Sequence, residues 1–514
     1  MNDNTPVIIG VGEASERIDA KGYQALSPAE LAGRAARAAL EDALSVEALA
    51  PHIDVIATVR QFETSGPKTV APFGRADNFP RALARRIGAA PARAILEPVG
   101  GQGPQHLINE FANAIGAGEA RMVLLAGAEA ISTLRHLTAA GETRDWSEAV
   151  GGQIEDRGFG ETLAGSELPR HGARTPISLY ALFENARRAR LGLERGAYAL
   201  EMGRLFAPFT QVAAGNPHAM SREILSAQDL ATVTPSNRLT SDPFPRRVVA
   251  RDQANQGAAV LIASVGLARE LGVPEQKWVY LVGGADARER VPMERADLSA
   301  SPAAVMAVNR ALDAAETSLA DIDLFDFYSC FPIAVFNVRD GLGMAADDPR
   351  PLTVTGGLPY FGGAGNNYSM HAVAAMVRAL RARPGTKGLV AANGGFLSKY
   401  SVGIYSTTAA PWRGFDSGDL QREIDGWAAP VVAPGEGTGV VETYTIDHSG
   451  PAPVGIVVGR LDESGARFAA RTDPLDDAIA RRMTSEEPLG ARVTVARNDE
   501  ARSIIRAFSP REAS

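Results

Sequence analysis

The sequence predicts an α/β fold made of two copies of one unit, with an insertion in the first copy and a small β-rich domain at the end. In the first copy, the glycine-rich loop VGGQG (99–103) leads into an amphipathic helix and then into the apolar strand MVLLAGA. One face of that helix, at 3.6 residues per turn, carries Leu107, Ile108, Phe111, Ala112 and Ile115. The second copy has a glycine loop at 362–365, a helix with the same apolar spacing from 372 to 380, and the strand GLVAANGG. This repetition predicts a duplicated domain whose two loops converge on one site.

The elements before the first loop alternate between strand and helix. PVIIGVGEAS is typical of a strand, but Ser15 stands where a dinucleotide-binding fingerprint has its third glycine, so the sequence does not favour a nucleotide site here. Ser27 and Glu30 form a capping box around Pro28, which predicts that a helix begins at Pro28. IDVIATV and AILEPV are the next predicted strands, with the helix FPRALARRIGA between them.

The regular alternation breaks between residues 131 and 245, which are rich in Gly, Arg and Pro. A long insertion with its own helices more often forms a lid or a substrate wall than an idle loop. Its arginine clusters allow two interpretations. Arg187, Arg188, Arg246 and Arg247 predict contacts with the phosphates of a large anionic ligand, because guanidinium groups bind phosphate through paired hydrogen bonds. The alternative is a solvated helix face.

The second half repeats the order of the first. AAVMAVNRALDAA matches the earlier RAARAALEDAL, IDLFDFYSCF matches IDVIATV, and the strand SVGIYST follows the second copy. Beyond it, short β-rich segments are separated by Gly, Pro and Asp turns, which predicts a small barrel. We therefore expect an N-terminal half at 1–270 with the insertion at 131–245, a C-terminal half at 271–412, and a barrel domain at 413–514.

Composition narrows the possible function classes. The chain has 514 residues, too many for one ordinary core, and its net charge of −8 argues against nucleic-acid or membrane-surface partners. Cys330 is the single cysteine, so neither an intrachain disulfide nor a cysteine-based zinc site is possible. Because the sequence has no membrane-spanning apolar run and no basic-then-apolar leader, we expect a cytoplasmic protein.

The duplicated plan, the insertion and the strand near Gly257 resemble the thiolase superfamily from residue 5 to about 410. The first loop aligns with the nucleophile loop of thiolases. YSCF (328–331) lies where that family has Asn-Glu-Ala-Phe, YFGGAGNNYSMH where it has its Gly-His-Pro motif, and VAANGGF where it has its second cysteine. The tail resembles the OB-like domain added to thiolase-like proteins. The resemblance implies a duplicated five-layer αβαβα fold and an acetyl-CoA acetyltransferase-like role in lipid metabolism.

The catalytic groups of the family are missing at the aligned positions. The nucleophilic cysteine falls on or beside Gly101, the histidine near Gly362 or Gly363, and the acid–base cysteine near Ala392 or Asn393. In thiolases the nucleophile lies at the head of a helix, where the dipole and backbone N–H groups lower its pKa. Glycine has no side chain that attacks a thioester, so we do not expect an acyl-enzyme cycle.

The resemblance still implies a cavity between two glycine loops. Backbone N–H groups at Gly101, Gly103, Gly394 and Gly395 would stabilise a thioester oxygen without any side chain. The polar side chains predicted around this cavity, and taken as catalytic candidates, are Tyr328, Cys330, Asn366, Tyr368 and His371.

Each candidate has a structural alternative. A tyrosine acts as a general acid or base only when its neighbours shift its pKa. Cys330 is either a nucleophile or a small buried apolar side chain. His371 either faces the cavity or packs inside the helix, one turn beyond the loop. Asn366 either contacts substrate or ties the turn together.

Three functions agree with the sequence. The first is binding of, or action on, an acyl-CoA thioester, with coenzyme A thioester as substrate or ligand and no permanently bound cofactor. The second is non-covalent carbon–carbon cleavage of a β-hydroxyacyl-CoA, with a tyrosine taking the hydroxyl proton. The third is non-catalytic acyl-CoA binding. The expected assembly is a monomer or a thiolase-type homodimer.

Overall fold

The computed structural model of the chain describes residues 2–161 and 163–511. Its strands are β1 (Pro6–Ser15), β2 (Val55–Val59), β3 (Arg93–Glu97), β4 (Met122–Ala130), β5 (Glu155–Asp156), β6 (Leu239–Ser241), β7 (Phe244–Pro245), β8 (Asn255–Ser264), β9 (Tyr280–Arg288), β10 (Leu324–Phe327), β11 (Lys387–Gly394), β12 (Lys399–Ser406), β13 (Gly437–Asp447), β14 (Val454–Leu461), β15 (Arg467–Arg471), β16 (Arg492–Arg497) and β17 (Ser503–Ser509).

The α-helices lie between these strands and are long mainly in the duplicated core and in the insertion. They are α1 (Pro28–Ala43), α2 (Val46–Leu49), α3 (Phe79–Ile87), α4 (Gly103–Gly116), α5 (Ile131–Ala140), α6 (Glu167–Arg170), α7 (Pro176–Leu191), α8 (Arg195–Gly215), α9 (Ala227–Ala231), α10 (Val265–Glu270), α11 (Pro302–Ala314), α12 (Pro332–Gly341), α13 (Tyr368–Ala382), α14 (Gly418–Asp425) and α15 (Ala478–Ser485). Within the described residues, none of them combines the length and the apolar character needed to cross a membrane.

Two sheets and three helix layers form the core. The first sheet has the order β1-β8-β4-β2-β3-β5 and the second the order β10-β11-β12-β9. Helices α4 and α13 contact each other and strands of both sheets, so they form the central layer. Helices α1 and α3 contact the first sheet and α11 contacts the second, as the outer layers. Strands β4 and β8 are buried throughout, as expected of strands covered on both faces. The predicted five-layer αβαβα fold is confirmed.

The glycines of β1 serve helix packing. A β-carbon on Gly10 would lie 2.9 Å from Cβ of Ala43, and closer still to a carbonyl oxygen of α1. In the second half, a β-carbon on Gly283 of β9 would lie 2.8 Å from Cβ of Ala315, at the end of α11. Both strands therefore need glycine where an alanine-rich helix lies against them. Because both halves have the same close contact between a strand glycine and a helix, the contact agrees with a duplicated unit.

The tail forms the predicted barrel. Strands β13, β14, β15, β17 and β16 close into a five-stranded ring, in which only the β15–β17 pair is parallel. Its interior is filled by large apolar side chains, among them Tyr444, Val457, Phe468 and Phe508.

The barrel is joined to the insertion. Ser241 of β6 pairs with Asp447 of β13. The side-chain amide of Asn185 in α7 donates to the carbonyl oxygen of Tyr444 at 2.9 Å, and the hydroxyl of Thr443 donates to that of Leu182 at 2.5 Å. Helix α7 therefore lies against the barrel.

Candidate functional site

A cavity of about 720 Å³ lies where the glycine loops meet the insertion. Gly100 and Gly101 of the first loop, Gly363 and Gly365 of the second, and Gly394 at the end of β11 all contribute to its lining. The rest of the wall is largely apolar and includes Phe62, Val99, Phe159, Leu163, Ile177, Phe331, Leu358 and Phe396. The two loops therefore converge on one cavity, in line with the prediction from the duplicated motif.

The hydroxyl of Tyr328 lies over Gly101. A β-carbon on Gly101 would lie 2.6 Å from Cζ of Tyr328, closer still to its hydroxyl oxygen, and 2.7 Å from the carbonyl oxygen of Asn393. A β-carbon cannot form hydrogen bonds, and real β-carbons do not come this close to atoms to which they are not bonded. The space beside Gly101 therefore holds the Tyr328 hydroxyl and excludes any side chain at Gly101.

Tyr328 has an environment that keeps its proton in place. Its ring is buried and packs edge-on against the ring of Tyr368, with centroids 5.4 Å apart. Burial raises the pKa of Tyr328 well above its ordinary value, and the neighbouring Cys330 adds to the rise. At neutral pH Tyr328 is therefore a hydrogen-bond donor at the cavity and not a base.

Three polar side chains meet in the cavity wall near Gly101 and Tyr328. The side-chain amide of Asn393 donates to the hydroxyl of Tyr180 at 3.0 Å and lies 3.9 Å from Sγ of Cys330. Tyr180 in turn donates to the carbonyl oxygen of Gly395 at 3.1 Å and stacks on Phe331, with ring centroids 4.4 Å apart. Because Tyr180 belongs to α7, the insertion supplies one wall of the cavity, as predicted from its length.

Cys330 lines the cavity but is poorly placed to be a nucleophile. It lies between β10 and α12 and not at the head of α4. Burial raises its pKa to about 12, although hydrogen bonds with Tyr180 and Asn393 act in the opposite direction. A thiol with such a pKa is almost entirely protonated at neutral pH. The interpretation of Cys330 as a small buried side chain agrees with this environment.

The predicted backbone donors differ in availability. The N–H of Gly103 already donates to the carbonyl oxygen of Gly100 at 2.9 Å in the turn that leads into α4, and Gly103 does not line the cavity, so the expected role for Gly103 is wrong. Gly394 lies so close to the first loop that a β-carbon there would be 3.0 Å from the nitrogen of Gly101. Gly395 has φ +64°, which favours glycine. Gly101, Gly394 and Gly395 therefore stay candidates at the cavity.

Asn366 ties the two loops together. Its Oδ1 accepts the N–H of Gly100 at 3.1 Å, and its Nδ2 donates to the carbonyl oxygen of Arg60 at 2.7 Å. Asn366 lines the cavity, but both of its polar atoms are engaged with backbone. The structural alternative for Asn366 accounts for its contacts, and the catalytic assignment does not.

Tyr368 and His371 do not line the cavity. The Tyr368 hydroxyl lies 2.6 Å from Oγ1 of Thr355 and donates to Oδ1 of Asp326 at 3.1 Å. Nδ1 of His371 lies 2.6 Å from Oε1 of Glu13, and both side chains are buried. The catalytic assignments of Tyr368 and His371 are therefore wrong, because Tyr368 faces Asp326 of β10 and His371 faces Glu13 of β1.

The paired arginines of α7 are structural. Nε of Arg187 donates to Asp340 at 2.7 Å, and its guanidinium lies 3.7 Å from the ring centroid of Phe336. Both nitrogens of the Arg188 fork donate to Glu487 of the barrel domain, at 2.7 and 2.8 Å. Each side chain is only 2% exposed. The phosphate-binding assignment of Arg187 and Arg188 is wrong, and so is the alternative of a solvated face.

Arg246 and Arg247 have a different environment. Arg246 is exposed, and Arg247 is half-buried with Nη2 4.0 Å from Oε1 of Glu223. They do not line the cavity, but they come shortly before Val249 and Ala250, which do.

Sequence reasoning missed Tyr180 and Lys399. Nζ of Lys399 donates to the carbonyl oxygen of Val99 at 3.1 Å at the cavity wall, and burial lowers the pKa of Lys399. A lysine two residues before the apolar segment SVGIYST was a usable signal. Tyr180 lies within a predicted helix of the insertion, and nothing in its local pattern separates it from a core residue. In the part of the chain that the structure describes, no group of acidic, histidine or cysteine side chains could hold a metal ion.

Comparisons with known proteins agree with this geometry. A family model described as the thiolase-like protein type 1 additional C-terminal domain matches residues 419–501. The crystal structure of a monomeric SCP2-thiolase-like protein type 1 from Mycobacterium smegmatis is 44% identical, with a TM-score of 0.84, over 98% of this chain and 99% of that chain. No curated protein sequence matches.

More distant structures share the core fold alone. The Ltp2-ChsH2(DUF35) aldolase is 20% identical, with a TM-score of 0.57, over 78% of this chain and 98% of that chain. Human mitochondrial 3-ketoacyl-CoA thiolase in complex with CoA is 18% identical, with a TM-score of 0.55, over 79% of this chain and 98% of that chain.

Proposed function

Because the chain belongs to the SCP2-thiolase-like proteins of type 1, we propose that its cavity binds a coenzyme A thioester without forming an acyl-enzyme. One observation carries the proposal: the hydroxyl of Tyr328 occupies the space beside Gly101, where the family resemblance puts the attacking thiol. The cavity is lined by Gly101 and Gly394, and the space beside Gly101 holds a protonated phenol in place of a thiol.

The thioester carbonyl is the group that this arrangement suits. Its oxygen would accept from the hydroxyl of Tyr328 and from backbone N–H groups of the Gly101 and Gly394 loops. The acyl chain would lie against the apolar wall around Phe159 and Phe331. Such donors hold the ground-state thioester without any covalent step.

Polar groups at the wall would position the rest of the ligand. Oδ1 of Asn393 is buried and has no hydrogen-bond partner within the described residues, so it is available to an N–H of the pantetheine arm. Arg246 and Arg247 would contact the phosphates of coenzyme A, since they are the basic pair nearest in sequence to the cavity wall.

The protonated state of Tyr328 also bears on carbon–carbon cleavage. A retro-aldol step needs a base that takes the hydroxyl proton of a β-hydroxyacyl-CoA. Tyr328 lines the cavity but retains its own proton, and Tyr368 lies outside the lining. Neither tyrosine supplies that base, so binding is the function that the geometry supports best.

Intact-protein mass spectrometry tests the absence of an acyl-enzyme. After mixing with acetyl-CoA the mass should be unchanged, while calorimetric titration with a panel of acyl-CoA thioesters should show saturable binding by at least one of them. Gly101→Ala should abolish that binding, because the added carbon displaces the ring of Tyr328. Gly215→Ala is the matched control, since a β-carbon there meets no atom within 4 Å.

An acetyl adduct would overturn the proposal. If Cys330→Ala removed the adduct, Cys330 would be the nucleophile after all. Release of a ketone or aldehyde from a β-hydroxyacyl-CoA would instead establish a lyase, and binding of none of the panel would contradict a coenzyme A thioester as ligand.

We expect the protein to be a monomer. The two-residue strand β5 pairs with β3 at the edge of the first sheet, where Asp156 pairs with Arg60 and Glu155 with Arg93. Short, charged edge strands discourage sheet-to-sheet association. Size-exclusion chromatography with light scattering should give a mass near 54.1 kDa at every concentration tested. A concentration-independent mass of twice that value would contradict the expectation.

A further inference from the structure

A second cavity, of about 800 Å³, lies on the C-terminal half. Its wall is formed by the segment after β9, the first turn of α11, the end of α12 and the linker to the barrel. No described residue lines both this cavity and the one between the glycine loops. We call it the linker cavity.

The linker cavity has an apolar side. Pro302, Val305 and Met306 of α11 face Trp427 and Ala428 of the linker across it. Val305, Met306 and Trp427 are half-buried. An apolar body would gain free energy by removing this surface from water.

Two guanidinium groups at the other side have unused donors. Among the described residues, Nη1 of Arg295 is buried without a hydrogen-bond partner, and so is Nε of Arg290. Arg295 is only 3% exposed, and its Nε donates to the carbonyl oxygen of Arg290 at 2.8 Å, which places the two arginines together. A buried donor without an acceptor, and above all a cationic one, is costly to leave unmatched.

The acidic residues of the same wall are already engaged. Asp340 accepts from Arg187 at 2.7 Å and from Arg190 at 3.3 Å. Glu289 accepts the N–H of Arg290 at 3.1 Å. Asp297 accepts both polar hydrogens of Ser299.

The wall also contains the polar side chains of Glu294 and Asn337. Glu294 is exposed, so water solvates its charge. Oδ1 of Asn337 is buried and has no partner in the described chain, while its Nδ2 donates to Ser301 at 2.8 Å.

Glu289 is the one buried carboxylate in the described part of this wall whose charge acts on Arg295, and its two oxygens accept the backbone N–H groups of Arg290 and Ala303. The two guanidinium groups therefore share one carboxylate, and Nη1 of Arg295 and Nε of Arg290 still have no acceptor among the described residues.

We propose that the linker cavity binds an amphipathic carboxylic acid, with its carboxylate on Arg290 and Arg295 and its apolar chain between α11 and Trp427. A carboxylate matches the planar donor geometry of guanidinium groups. A purely apolar ligand would leave both donors unpaired. A large polyanion would be desolvated against the apolar side without any compensating contact.

The linker provides the readout. Nη2 of Arg290 also donates to the carbonyl oxygens of Asp425 and Trp427, at 2.6 Å each, so a carboxylate on Arg290 would lie beside Trp427. The chain has 4 tryptophans, and only Trp427 lines the linker cavity. Its fluorescence should therefore respond to occupancy.

Titration of the full chain with sodium hexanoate and with 1-hexanol tests the proposal. The two probes share an apolar chain of the same length, and only hexanoate carries a carboxylate. Hexanoate should give a saturable change of tryptophan fluorescence and of calorimetric heat, and hexanol should bind at least about tenfold more weakly. Trp427→Phe should lose the fluorescence change and keep the heat.

Variants locate the carboxylate. Arg290→Gln and Arg295→Gln should each weaken hexanoate binding about tenfold or more and leave hexanol unaffected. Arg204→Gln removes an exposed arginine of α8 outside this cavity and should bind like the parent protein. Circular dichroism checks folding, and if the buried Arg295 variant does not fold, Arg290→Gln decides the matter.

Three results would overturn the proposal. Equal binding of hexanoate and hexanol would show that no charged contact exists. Unchanged hexanoate binding by the folded arginine variants would exclude these donors. Loss of hexanoate binding in Gly101→Ala, with normal binding in Arg290→Gln, would place the acid in the cavity between the glycine loops. The first two results leave open whether that cavity binds a coenzyme A thioester, which the acyl-CoA titration tests separately.

Discussion

The two glycine loops hold the same place in the duplicated unit but have different surroundings. At the first loop, Gly101 lies beneath the hydroxyl of Tyr328 and opens onto the cavity. At the second, Gly365 has φ +55° and lies against the buried carboxyl of Glu129, whose Cδ would be 2.6 Å from a β-carbon there. Both loops line the cavity, but Gly101 has the Tyr328 hydroxyl and the Asn393 carbonyl oxygen beside it, whereas Gly365 packs against a buried carboxyl group.

The residues that follow the second loop connect the two halves. Asn367 donates to the carbonyl oxygen of Gly127 at 2.7 Å, Ser369 donates to that of Gly101 at 2.6 Å, and His371 lies 2.6 Å from Glu13. These three polar side chains therefore connect the two halves, and we call Asn367, Ser369 and His371 the joint. The difference between the loops predicts that changes after the second loop cost stability, and changes at the first cost binding.

The largest expected effect is the loss of the joint at His371. Burial alone raises the pKa of Glu13, but the hydrogen bond and charge of His371, together with Arg378, lower it to about 2. His371→Ala leaves this buried carboxylate without its hydrogen-bonded histidine, with only Arg378 and the nearby His218 to stabilise it. We expect the free energy of unfolding in urea to fall by about 3–5 kcal/mol, with normal acyl-CoA binding by the folded fraction.

Ser369→Ala is the control for His371→Ala, because it removes one neutral hydrogen bond of the same joint. It should cost about 1 kcal/mol. Equal stability of the parent protein and His371→Ala would contradict the assignment of the joint.

The second prediction concerns Glu129 and pH. Burial and the nearby charge of Glu63 raise the pKa of Glu129 from 4.5 to about 8. The hydrogen bond from the N–H of Phe62 acts in the opposite direction but is weaker. The folded protein therefore keeps a proton that the unfolded chain releases, so this contribution to stability is complete below pH 4.5 and is lost as the pH rises through 8. Glu129→Gln should raise the free energy of unfolding at pH 9 by roughly 2–4 kcal/mol.

The comparison of urea unfolding at pH 5 and pH 9 checks this prediction. Glu63→Gln is the matched variant, because burial also raises the pKa of Glu63, to about 7, but Glu63 is less buried. It should give a smaller gain at pH 9. If Glu129→Gln and the parent protein lost stability equally between the two pH values, Glu129 would not be the group responsible.

The smallest effect on stability is expected at the first loop. Tyr328→Phe removes a hydroxyl that faces the cavity and leaves the ring in place, so the free energy of unfolding should change by less than about 1 kcal/mol. Binding of an acyl-CoA thioester should weaken about tenfold, because one donor to the carbonyl oxygen is lost. Tyr360→Phe, at a buried tyrosine outside the cavity lining, should leave that binding unchanged.

Periodicity and turn chemistry were sufficient for most of the fold. The apolar spacing of Leu107 to Ile115 predicted α4, which runs Gly103–Gly116. The capping box of α1 is present, with Oγ of Ser27 accepting the N–H of Glu30 at 3.1 Å and Glu30 accepting the N–H of Ser27 at 2.7 Å. Such signals are local in the chain, so a single sequence contains them.

The site was less predictable because its contacts join distant segments. No local pattern shows that Tyr328 fills the space beside Gly101. The partner of Arg188 is Glu487, in a different domain, so a helical pattern of arginines does not distinguish a buried ion pair from a solvated face. His371 contacts Glu13, a residue 358 positions away in the chain, and no pattern around His371 indicates that partner.

The two sets of contacts that α7 makes limit how this protein could have evolved. One side of it supplies Tyr180 to the cavity, and another holds the barrel through Asn185 and Arg188. An exchange of tails between relatives would separate Arg188 from Glu487 and leave a cation facing a foreign surface. The insertion and the barrel domain should therefore be inherited together, and recombination between related genes should not separate them.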